Sequence, residues 1–76
     1  MSDRDKVVKR IDCPGGKRYV TILERPDGNF WFEEYSEDSD LGYTYFTPTH
    51  SSGLYDSPER AERDARLSLP WLREQS

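Results

Sequence analysis

Cys13 and His50 are the single thiol and the single imidazole of the chain. A nucleophile–base couple of the cysteine–histidine kind would have to use both. Cys13 stands in Cys13-Pro14-Gly15-Gly16 and His50 in Thr47-Pro48-Thr49-His50-Ser51. Both settings read as turn or loop, and nothing in their separation brings the two together. The adjacent carboxylates Glu33 and Glu34 fall in a stretch that reads as strand. Neighbours on a strand point to opposite faces, a poor arrangement for paired acid–base work. Glu37, Asp38 and Asp40 offer oxygens to a hard cation but lack the ligand spacing and bidentate glutamate of a calcium loop. A lone cysteine excludes an intramolecular disulfide and a cysteine-rich zinc site. The reading is therefore non-enzymatic, with no catalytic residue, no metal and no cofactor.

What remains is aromatic surface. The 76 residues include three Phe, two Trp and five Tyr, each able to bury roughly 150–250 Å². That argues against disorder in a chain whose hydrophobic content is only 33%. The length admits one domain, 1–76, with a modest core and a stability of roughly 3–5 kcal/mol. No apolar run approaches the ~20 residues of a membrane span. The opening residues have no uninterrupted apolar stretch, so no secretory signal is expected and cytoplasmic residence is the default. Charge is uneven: the net of -4 resolves into +3 over residues 1–25, -6 over 26–50 and -1 over 51–76. No Lys or Arg occurs between Arg25 and Arg60.

The elements that position the rings follow from local signals. Residues 1–5 are expected to fray. Residues 6–12 read as a short edge strand whose lysines discourage further pairing. Residues 17–24 carry Tyr, Val, Thr and Ile, which suit a pleated, half-buried surface. Arg25-Pro26-Asp27-Gly28-Asn29 predicts a bulged hairpin, returning as a strand over 29–36. Residues 37–42 are expected to form a loop, with a further strand over 43–48. Ser57 caps a helix over 58–69 with Pro58 at its first position. Ala61, Ala65 and Leu69 form its inner stripe, and Pro70 should force Leu69 out of the helical region. Trp71 and Leu72 then plug the core. The fold class is α+β: an antiparallel meander of three or four strands with one C-terminal helix packed on one face.

The hairpin predicts a register in which Tyr19 faces Tyr35, Leu23 faces Trp31 and Ile22 faces Phe32. Side-chain alternation then sorts Val20, Ile22, Phe30 and Phe32 onto one face and Tyr19, Leu23, Trp31 and Tyr35 onto the other. The more aliphatic face is assigned to the helix. Tyr19, Leu23, Trp31 and Tyr35 become a candidate partner-binding surface, since contiguous exposed apolar area and interfacial Tyr and Trp mark contact sites. The competing reading has the N-terminal segment or the 49–56 loop folding over them.

Residues 53–72, GLYDSPERAERDARLSLPWL, resemble the C-terminal signature of a family of small uncharacterised bacterial proteins: Gly-Leu-Tyr, a capped Ser-Pro-Glu helix, then Leu-Pro-Trp-Leu. The resemblance covers about a quarter of the chain and implies a bacterial origin but no activity. The strand order and the Ser-Pro-Glu helix are also similar to the arm-type DNA-binding domains of phage-type integrases. Those domains bind DNA through a basic sheet, whereas Glu33 and Glu34 occupy the middle strand here. The functional expectation is a non-catalytic interaction or self-association module whose partner is a protein or a second copy. A nucleic-acid-binding module is the alternative, and no membrane contact is expected.

Overall fold

The computed structural model describes residues 4–74. Strands β1 (Lys6–Asp12), β2 (Arg18–Glu24), β3 (Phe30–Asp40) and β4 (Tyr43–Ser51) are followed by helices α1 (Pro58–Ser68) and α2 (Pro70–Arg73). The strands form one antiparallel sheet in the order β1-β2-β3-β4. The architecture is thus an α+β meander with a C-terminal helix.

The β2–β3 reversal sets the register of the sheet's centre. Gly28 N–H donates to the Arg25 carbonyl at 3.0 Å, and Arg25 N–H donates to the Asn29 carbonyl at 2.7 Å. Asp27 Oδ1 accepts from Asn29 N–H at 3.1 Å. Gly28 has φ +88°, the left-handed value that this bulged loop needs and that a side chain resists. The resulting pairs run from Glu24↔Phe30 through Ile22↔Phe32 to Tyr19↔Tyr35 and Arg18↔Ser36, the register expected from the turn residues.

One side of the sheet is closed by the helices. Val20, Ile22 and Phe32 meet Ala61, Ala65, Leu69 and Leu72 in a core of fully or nearly fully buried side chains. The two alanines let α1 lie close to the strands. Ser57 Oγ accepts from Arg60 N–H at 3.2 Å at the start of α1. Leu69 turns extended, at φ -101° and ψ 113°, ahead of Pro70, because the proline ring disfavours the helical region for the residue before it. The chain then re-enters one helical turn and lays Leu72 into the core.

Two stretches depart from expectation. The acid-rich residues 37–40, read as loop, extend β3 to Asp40, and β4 runs past Pro48 to Ser51. Asp and Ser are poor strand formers, but here they pair with Tyr43–Phe46 and keep their side chains in solvent. The turn is only Leu41-Gly42, both at positive φ (50° and 84°), the two-residue reversal whose twist matches the strands. Pro48 is tolerated because β4 is an edge strand. Of the residues expected to fray, 1–3 lie outside the described residues. Asp5 is engaged: its Oδ2 accepts from Trp31 Nε1 at 2.6 Å.

Candidate functional site: the uncovered face of the sheet

Alternation along β2 and β3 places Tyr19, Leu23, Trp31 and Tyr35 together on the side away from α1. All four are half-buried. Tyr19 and Tyr35, directly opposite in register, stack with centroids 4.8 Å apart and planes 16° from parallel. Phe46 of β4 meets the Tyr19 ring edge-on at 5.1 Å. From β1, the Arg10 guanidinium carbon lies 3.9 Å from the Tyr19 ring centre, a cation–π contact. Arg10 also pairs with Asp12 at 2.9 Å. One half of the face is therefore a cluster of rings from β2, β3 and β4 capped by Arg10 of β1. The other half is Leu23 and Trp31, with Val7 of β1 opposite Leu23 and more than half exposed.

Carboxylates tie the polar tips of these rings. Tyr35 Oη donates to Glu33 Oε1 at 2.5 Å, and Ser51 Oγ donates to Glu33 Oε2 at 3.0 Å. Donation to Glu33, reinforced by burial, pushes the Tyr35 phenol up to about 12, so it stays neutral and keeps donating at physiological pH. Trp31 is anchored by Asp5. Between the two halves lies Thr21, only 7% exposed. Its Oγ1 has no hydrogen-bond partner among the described residues, a local deficit within an otherwise satisfied surface. Rings held on rigid strands by two such anchors lose little freedom when something is laid against them.

The other candidate groups are dispersed. Cys13, half-buried, follows β1 at one edge of the sheet, while His50 is in β4 at the other edge. The His50 ring packs near Phe32 at 5.7 Å, on the helix side. Glu33 and Glu34 point to opposite faces, as strand alternation requires. Among the described residues no group of three or more His, Cys, Asp or Glu side chains is placed to hold a metal ion. Within the same residues, no helix is long and apolar enough to cross a membrane.

Sequence reasoning missed two polar contacts. Glu34 is 8% exposed beneath α2; its Oε2 accepts from Trp71 Nε1 at 2.6 Å and its Oε1 from Thr49 Oγ1 at 2.9 Å. This latch pins the Pro70–Arg73 turn to the sheet. The available signal was parity: Glu34 follows Phe30 and Phe32 on the core face, where a carboxylate needs donors. The Asp5–Trp31 anchor carried no such signal, because Asp5 precedes the first strand. Comparison of the chain with protein-family models, with curated proteins and with solved structures finds no match.

Proposed function

We propose that this protein is a non-catalytic interaction module whose contact surface is the uncovered sheet face, with Tyr19, Leu23, Trp31 and Tyr35 at its centre. The observation that carries the reading is the pairing of a closed side, where α1 and α2 bury Val20, Ile22 and Phe32, with an aromatic side that no helix covers among the described residues. The half-buried rings offer apolar area to a partner, and the polar tips of Trp31 and Tyr35 are already hydrogen-bonded. A second copy is the first partner to test. Arg10 and the Glu33 and Glu37 carboxylates share this face, giving it the mixed charge that a self-complementary two-fold contact uses. Sedimentation equilibrium of the full chain against concentration tests this. The reading expects a reversible dimer that Trp31→Ala weakens while the far-ultraviolet circular dichroism is retained. An unfolded Trp31→Ala chain would make Trp31 core, and undiminished dimerisation by a folded variant would remove this face from the contact.

A further inference from the structure

The sheet has two free edges, and they are built differently. β1 carries Lys6, Lys9 and Arg10 and a register shift between Val7 and Lys9. Lysines and bulges are the usual devices that stop an edge from accepting another strand. β4 has neither along its first half. Tyr43–Ser51 contains no Asp, Glu, Lys or Arg, and among the described residues β4 pairs with β3 alone. Tyr43, Thr44, Tyr45, Phe46 and Thr47 form a regular run rich in strand-favouring residues. Pro48, which lacks an N–H, and the shift opposite Glu34 and Tyr35 close that run at its far end. An edge of this kind offers outward N–H and C=O groups from alternate residues.

This edge borders an arm. β2 ends at Arg18, opposite Ser36, and Glu37 N–H makes one more bond, to the Lys17 carbonyl at 2.8 Å. Beyond it, Asp38–Asp40 pair only with Tyr43–Tyr45. Tyr43 and Tyr45 are 76% and 41% exposed, and Leu41 at the tip is 89% exposed. Asp40 stands directly across from Tyr43, and Asp38 across from Tyr45. All four side chains share one face by alternation.

We propose that the Tyr43–Thr47 edge accepts an extended basic segment of a partner protein as a fifth strand, its alternate lysine or arginine side chains lying over Tyr43 and Tyr45 toward Asp40 and Asp38. Main-chain pairing supplies the attachment and alternate side chains supply the selectivity, the logic of strand addition. The charge fits: residues 26–50 hold six acids and no Lys or Arg. The spacing fits as well. Side chains two apart on the added strand share a face with the two tyrosines, and each cation meets a ring before a carboxylate. A second copy's β4 carries no cation to this place, and its β1 presents the bulged register. Tyr43 and Tyr45 lie on the other side of the sheet from Tyr19 and Tyr35, and although Phe46 of this edge touches the Tyr19 ring, the two readings are told apart by which residues respond.

The test titrates the isotopically labelled full chain with the capped peptide Thr-Lys-Val-Lys-Val-Lys-Thr and follows backbone amide signals. The expected result is shifts and slowed hydrogen exchange over residues 43–47 and not over β1. Tyr45→Lys, a substitution at an exposed position, should raise Kd by at least about tenfold, as should Asp38→Asn with Asp40→Asn. The same peptide with Glu in place of Lys should not bind. The proposal is overturned by silence at about millimolar peptide, by equal binding of the Glu peptide, or by shifts centred on Tyr19, Trp31 and Tyr35. Shifts at 43–47 that grow with protein concentration and no peptide would make a second copy the occupant instead, and would overturn it too.

Discussion

Ile22 and Leu23 are adjacent in β2, similar in size, and on opposite faces, so truncating each in turn measures how unequal the two sides of the sheet are. Ile22 is 1% exposed, beneath the helices; Leu23 is half-buried on the uncovered face. Ile22→Ala removes three carbons, worth about 2.4 kcal/mol at ~0.8 kcal/mol each. The residual cavity adds to this, within the ~2–5 kcal/mol range of such truncations. Leu23→Ala loses a fraction of the same transfer energy and leaves no enclosed void, so about 1 kcal/mol is expected. Against a total of roughly 3–5 kcal/mol for a domain of this size, the first variant should be close to unfolded. The second should melt cooperatively, roughly 4–8 °C below the parent. Urea and thermal denaturation followed by circular dichroism, at a protein concentration low enough to keep the chain monomeric, read both. Equal losses at the two positions would refute the assignment of a closed and an open side.

Other outcomes follow from single contacts. Trp71→Phe keeps most of the ring but leaves Glu34 buried with, among the described residues, the Thr49 hydroxyl as its remaining side-chain donor. A loss of about 1.5–3 kcal/mol is expected from denaturation, and a double-mutant cycle with Glu34→Gln should show coupling above about 0.5 kcal/mol. Thr21→Val exchanges an unpartnered hydroxyl for a methyl of similar shape and should be neutral or stabilising by up to about 1 kcal/mol. The Tyr35 phenol, raised from 10.0 to about 12 by its bond to Glu33 and by burial, contributes stability that is complete below the unfolded value and lost as pH rises through that window. Phenolate absorbance should show Tyr35 titrating late, alongside Tyr55, whose phenol is also pushed up by burial and Asp64, and Glu33→Gln should return the Tyr35 phenol alone toward 10.0.

The legible parts of the fold were those decided by a few consecutive residues. Pro26, Asp27 and Gly28 dictate the reversal, and the reversal dictates which rings share a face. Ser57-Pro58 starts α1, and Pro70 ends it, because caps and proline act within a turn or so of themselves. The arm was illegible for the opposite reason. Glu37–Asp40 has loop composition, and only pairing with the tyrosines of β4, after a two-residue turn, makes it strand. The Glu34–Trp71 latch joins residues 37 apart in sequence and depends on where the last helical turn lands. Of the candidate surface, strand parity placed Tyr19, Leu23, Trp31 and Tyr35 on one face. The Trp31 ring is held there by Asp5 and the Tyr35 ring by Glu33, itself bonded by Ser51, and no hairpin argument reaches Asp5 or Ser51.

On this reading the ring-bearing face is left open by the described residues of the single chain and covered when two copies meet. Attenuation of the Tyr19, Trp31 and Tyr35 ring-proton signals by a soluble nitroxide, measured across a dilution series, tests it most directly. Strong attenuation is expected in dilute solution and protection as concentration rises, with Ile22 and Phe32 signals protected throughout. Ring signals equally attenuated at every concentration would contradict self-association through this face, and rings protected even at the highest dilution would show that the chain covers the face itself.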